Sequence, residues 1–220
     1  MKTNKLTLIA SSLALTVALA GLAGCASHGY DQGTATANGL QASADKIAAA
    51  DGQLDATLAA LNDLVNNPQP DLRPQYQKFS DNVDDLGSLA KSVKASVTAM
   101  RDNGKEFFAK WNEQLATIQN EDIRNLSAAR QKEVSDELLN VKRSYAEVEV
   151  AFKPFMSDLR DAQKYLGTDL TTGGVAAMKN VAAKATANGA TLKTSVDKLT
   201  ADFKSLGLAM SAVAPAPATK

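Results

Sequence analysis

The chain has 220 residues, 45% of them hydrophobic and 5% aromatic, with 24 Lys plus Arg against 24 Asp plus Glu, a globular profile long enough for one or two domains. Zero formal charge excludes the basic footprint of a nucleic-acid binder and the acidic excess of a disordered tail. One Cys rules out an internal disulfide, and one His, His28 near the N-terminus, leaves the rest of the chain without an imidazole for a base, a triad or a metal ligand.

Residues 1–24 read as an export signal, with Lys2 and Lys5 as the positive start and Leu6 to Ala20 as the apolar stretch. Thr7, Ser11, Ser12 and Thr16 interrupt that stretch, and a polar segment follows it at once, so it does not supply the ~20 apolar residues of a spanning helix. Leu22-Ala23-Gly24-Cys25 fills all four positions of a lipobox and resembles that of bacterial lipoproteins. The resemblance implies a diacylglyceryl group on the Cys25 sulfur, cleavage before Cys25 and acylation of the new amino terminus. Two or three acyl chains hold a protein stably where one does not, so the mature chain is expected to be anchored through Cys25 and not to span. Losing Lys2 and Lys5 leaves 22 basic against 24 acidic residues, a net charge of −2 that does not draw the body to anionic lipid. Ala26 and Ser27, in place of an Asp after Cys25, resemble lipoproteins sorted to the outer membrane of Gram-negative bacteria and facing the periplasm; the inner membrane is the alternative.

Residues 25–39 are rich in Gly, Ser, Thr, Asn and Ala without periodic apolar positions, which predicts a flexible tether. Beyond it, apolar residues recur at spacings of three and four, the pattern of helices packed along a narrow seam. A first helix over 40–66 carries Ile47, Leu54 and Leu61 in one seam position and Ala50, Thr57 and Leu64 in the other, and Pro68 and Pro70 end it. A second, over 73–119, runs from Tyr76 and Phe79 to Trp111 and Ile118. Asn120-Glu121-Asp122 then suits a turn and a capped helix start. The third helix, over 121–166, includes Phe152, Phe155 and an internal Pro154, expected to bend it as a tolerated outward kink, with a functional hinge as the alternative, and Gly167 is its expected C-cap. A fourth, over 171–207, has a small-residue stretch at Ala182, Ala185 and Gly189, and 209–220 is a Pro/Ala tail expected to be disordered.

Short loops make neighbouring helices antiparallel. Folding about Asn120 sets Gly104 near Leu138 and Phe79 near Ala162, while folding about Asp169 sets Phe152 and Phe155 level with Ala185 and Ala182. The expected fold is all-α: an elongated antiparallel bundle of three long helices, partly covered by a shorter N-terminal one.

The lipobox, Phe107-Phe108-x-x-Trp111-x-Glu113, Ile123-Arg124-x-Leu126-Ser127 and Pro154 together resemble an uncharacterised family of bacterial helical lipoproteins catalogued as a domain of unknown function. The resemblance spans Tyr76 to Leu170 and implies an anchored helical rod; it supplies no activity and no site residues.

Chemistry-bearing motifs are sparse. Gly104-Lys105 lacks the remainder of a phosphate loop, and no dinucleotide, nucleophile-elbow or calcium-loop pattern occurs. The Asp158/Asp161 and Glu147/Glu149 pairs lack a His partner and read as solvated surface charge. No catalytic residue, metal ligand or cofactor is expected. Phe107 and Trp111 lie on the seam, so Phe108, off it, is the candidate partner contact. Gly173-Gly174 could hold an anion at a helix start or simply serve a tight loop. The expected function is a non-catalytic, lipid-anchored envelope spacer or interaction scaffold, with an envelope protein partner or self-association. The alternatives are a sensor or ligand-binding bundle, with a pocket at Ala182, Ala185 and Gly189 unless Phe152 and Phe155 fill it, and a peptidoglycan tether through Lys220.

Overall fold

The computed structural model describes residues 29–211, with side chains from residue 36. Cys25, His28 and Lys220 lie outside the described residues, as do the signal segment and most of the tail.

Five helices follow in chain order: α1 (Gly29–Asn66), α2 (Arg73–Thr117), α3 (Glu121–Thr168), α4 (Thr172–Ala177) and α5 (Lys179–Met210). Apart from the six-residue α4 they form an up-down-up-down bundle, in which α1 and α3 each pack between α2 and α5. At about 1.5 Å per residue, the 45 residues of α2 extend for about 68 Å. The core is a continuous apolar column in which Phe79, Phe155, Phe203, Ile47, Leu61 and Leu159 are fully buried.

The α2–α3 corner forms as the local chemistry dictates. The Asn120 side chain accepts the Ile123 N–H at 3.1 Å, and Glu121 and Asp122 occupy the first turn, where the helix dipole favours negative charge. Arg124 donates from Nη1 to the carbonyls of Ile118 and Gln119 at 2.9 and 2.8 Å, satisfying groups that the end of α2 leaves without intrahelical partners. The register matches the one expected from Asn120. A Cβ at Gly104 would lie 3.1 Å from Leu138 Cδ1. Tyr76 donates to the Gln163 carbonyl, and Gln163 donates to Ser80 Oγ at 2.8 Å, which holds Phe79 level with Ala162.

Four expectations need correction. The first helix begins at Gly29, not near residue 40, so 29–39 is the top of α1 and not part of a tether; α1 is a full member of the bundle, and α5 is the shortest of the four. Its upper face is built from small residues: Ala37 and Ala44 are buried with Leu40, and the missing side chain of Gly207 lets α5 approach the Ala37 carbonyl and Leu40. A seam of alanines closes by backbone proximity and shows little apolar periodicity.

The fourth helix is not continuous, because Met178 (φ −82°, ψ −3°) separates α4 from α5. Thr171 caps α4 by accepting the Gly174 N–H at 3.0 Å. This extra corner moves the α3–α5 register by one to two turns. Asp158 pairs with Lys184 and Glu147 with Lys198, and Phe155 packs against Gly189 in place of Ala182.

Gly167 is not a C-cap. Helix α3 continues through Thr168 to an Asp169 cap, and a Cβ on Gly167 would stand 2.6 Å from Tyr76 Oη. Pro154 lies inside α3 with its ring exposed, so the backbone acceptor it leaves unused faces the solvent side of the rod.

Candidate functional site

Two regions of the described surface stand apart from ordinary solvated helix. The first is the tip of the α2–α3 hairpin. Arg130 donates to the Ala209 carbonyl at the end of α5, so the hairpin beyond residue 130 extends past α5 by about 16 Å. Trp111 Nε1 donates to Ser127 Oγ at 2.8 Å, Phe107 meets Trp111 edge-on with centroids 5.3 Å apart, and Phe108 lies nearly parallel to Trp111 at 6.3 Å. These rings join the two helices at the upper edge of the core, against which all three pack. Phe108 is therefore half-buried, beside a shallow depression edged by Asn112, Gln131 and Lys132. In the first two turns of α3, at the tip itself, Leu126 is 71% and Ile123 49% exposed.

The second is a cavity of about 490 Å³ in the side of the bundle. Its floor is apolar, formed by Ile47, Ala50 and Leu54 of α1 and Leu192, Val196 and Leu199 of α5. All its charged lining residues come from α2 and α3, so it opens between those two helices. Tyr145, Val148 and Phe152 occupy seam positions of α3 yet remain only half-buried, because they wall this space and do not close against α2. Tyr145 donates its hydroxyl to Glu149 Oε1 at 3.3 Å; burial, with the charge of Glu149 and that hydrogen bond, pushes the phenol up to about 12.

The pocket expected at Ala182, Ala185 and Gly189 does not form. Phe155 is fully buried there, and a Cβ on Gly189 would sit 2.5 Å from Leu58 Cδ1 and 3.6 Å from the Phe155 ring. Gly173-Gly174 belongs to the six-residue α4, and the Asp169 carboxylate stands where a Gly174 side chain would be, which opposes an anion. Asp158 is paired with Lys184 at 3.3 Å and Glu147 with Lys198 at 2.7 Å. Among the described residues no group of three or more His, Cys, Asp and Glu is placed to hold a metal ion, and no helix is long and apolar enough to cross a membrane.

One ionisable pair was not legible from spacing. Asp51 of α1 faces Asp197 of α5; burial, then the adjacent Asp197 carboxyl, push Asp51 up to about 6, against the opposing pull of Lys193. Lys193 is itself held by Asp55 at 2.5 Å.

The fold and these two regions define a class of elongated antiparallel four-helix bundle with a projecting hairpin and a lateral cavity. The chain belongs to the family described as Protein of unknown function (DUF2959), whose model matches residues 25–206. No curated protein and no solved structure matches the chain.

Proposed function

We propose that the protein is a lipid-anchored, non-catalytic component of the cell envelope, held in the outer membrane through acylated Cys25 and facing the periplasm as a helical spacer or interaction scaffold. The observation that carries this reading is the polarity of the bundle. Helix α1 starts at Gly29, four residues after the lipobox cysteine, at the end of the bundle where the α2–α3 hairpin exposes Ile123 and Leu126. An acyl group on Cys25 and those two side chains would meet the same bilayer surface, since apolar groups beside an anchor add to membrane affinity through the area they bury. The opposite end, with the Asn67–Leu72 loop and the α3–α4 corner, then stands a bundle length away and is free to meet an envelope partner. Helix α5 also finishes at the hairpin end, so the segment leading to Lys220 departs from the membrane side, an arrangement that favours the scaffold over the wall tether.

The test is membrane fractionation of the wild type and Cys25→Ser, combined with photo-cross-linking residues placed at Leu126 and at Gln69. The expected result is membrane retention that depends on Cys25, lipid adducts from position 126 and protein adducts from position 69. Equal fractionation of the two chains would overturn the anchor, and substrate turnover by the purified chain would overturn the non-catalytic assignment. A second reading, a ligand-binding bundle, is favoured by one specific observation, the lateral cavity.

A further inference from the structure

We infer that the lateral cavity is a binding site for a long-chain fatty acid, with the acyl chain lying between the four helices and the carboxylate held at the mouth by Lys91, Lys94, Lys153 and Arg160. This rests on the ligand-binding reading and specifies its ligand.

Size sets the first constraint. The cavity of about 490 Å³ is within the range of small-molecule sites. At roughly 30 Å³ apiece, the volume share of a water molecule and about that of a methylene, it accommodates about 16 such groups. That is one long acyl chain; a two-chain lipid needs about twice the space.

Polarity sets the second. The floor from α1 and α5 offers only hydrocarbon, so a chain lying against it removes apolar surface of both partners from water. At the mouth the four cations face two anions, Glu149 and Asp161, and the Glu149 carboxylate already accepts the Tyr145 hydroxyl. None of the four cations is in an ion pair, whereas Lys132, Lys184, Lys193 and Lys198 all are. Arg160 reaches across the opening to α2, its Nη2 3.3 Å from where a Gly87 side chain would begin. An excess of two unpaired positive charges around an apolar slot matches one carboxylate on one hydrocarbon chain.

Fit sets the third. On the α2 side Ala90 offers only a methyl to the space that Val148 and Phe152 line, whereas Gly87 lets α2 approach Met156 and Arg160 of α3 beside it. The opening is thus built into the sequence of the seam.

The test uses membranes holding the full chain, exposed after isolation to diazirine-bearing palmitic acid or diazirine-bearing hexadecanol, irradiated, and mapped by mass spectrometry. The palmitate probe should label peptides around 86–94 and 145–161 and be competed by unlabelled palmitate. Ala90→Trp, which fills the slot, should lower that labelling at least about tenfold, as should Val148→Trp, with retained helicity checked by circular dichroism. The Lys94→Glu/Arg160→Glu variant should lower palmitate labelling at least about fivefold and leave hexadecanol labelling unchanged. Equal labelling by both probes with no response to charge reversal would overturn the fatty-acid assignment and leave a ligand-binding bundle. Absence of cavity labelling by either probe would overturn both.

Discussion

Asp51→Asn is expected to stabilise the bundle, and by more at about pH 7.5 than at about pH 4.5. Asp51 lies across the α1–α5 seam from Asp197, with Asp55 and Lys193 alongside, and its Oδ1 is buried without a hydrogen-bond donor. Burial and Asp197 push its pKa from 3.8 to about 6. A folded-state value above the unfolded one means that the folded chain holds the proton more tightly. The favourable contribution is therefore complete below about pH 3.8 and is lost as the pH rises through about 6. A rise of about two units corresponds to at most about 3 kcal/mol. The carboxyl is only half-buried and Lys193 opposes the shift, so solvent screening brings the expected penalty at neutral pH to about 1 kcal/mol. In a chain of this size that is about 2–4 °C in the unfolding midpoint. Asn keeps the shape, carries no charge and offers an amide N–H to Asp197. Thermal unfolding followed by far-UV circular dichroism at the two pH values is the assay. Equal midpoints for mutant and wild type near neutrality, or an equal gain at both pH values, would show that the Asp51–Asp197 contact does not govern this titration.

Glycine substitutions should split by what surrounds each backbone. Gly52, in open space within α1, should gain about 0.5–1 kcal/mol as Ala in chemical denaturation, whereas Gly174→Ala should lose about 1–3 kcal/mol because its Cβ would collide with the Asp169 carbonyl. Phe155→Ala, removing a fully buried ring between α3 and α5, should cost about 3–5 kcal/mol by the same measurement; a loss below about 1 kcal/mol would mean that the seam collapses around the gap. Ile123→Asp with Leu126→Asp should leave the folded stability within about 0.5 kcal/mol, since both side chains are largely exposed, and should reduce lipid cross-linking from the hairpin tip; unchanged cross-linking would place the tip away from the bilayer.

Where large side chains alternate, the sequence shows the fold plainly. Phe79, Val83 and Leu86 mark the buried face of α2, and Asn120 with its two following acids marks the corner. Legibility fails where packing depends on the absence of a side chain. The top of α1 closes on Gly207 through Ala37 and Leu40, a contact that a search for large apolar residues passes over. The break at Met178 depends on the Thr171 cap and the Asp169–Gly174 approach, and those local contacts reset the α3–α5 register by one to two turns. The cavity was hidden for a related reason. Ala90, Val148 and Phe152 have core periodicity, and only their three-dimensional opposition shows that they enclose space. The grouping of Lys91, Lys94, Lys153 and Arg160 beside that stretch was the available signal, and it becomes meaningful only when α2 and α3 are laid antiparallel.

Trp111 is the chain's single tryptophan, and its indole is tied to Ser127 near the projecting end of the hairpin. Intrinsic fluorescence therefore reports on one local unit and circular dichroism on the whole column. The stretch of α2 and α3 beyond Arg130 lies past the end of α5, so its opening should cost less free energy than global unfolding. With rising denaturant the emission should change before the helical signal does. Non-coincident transitions would then reflect a fraying extremity of a single domain, and two-state fits to either probe alone would understate the stability of the body.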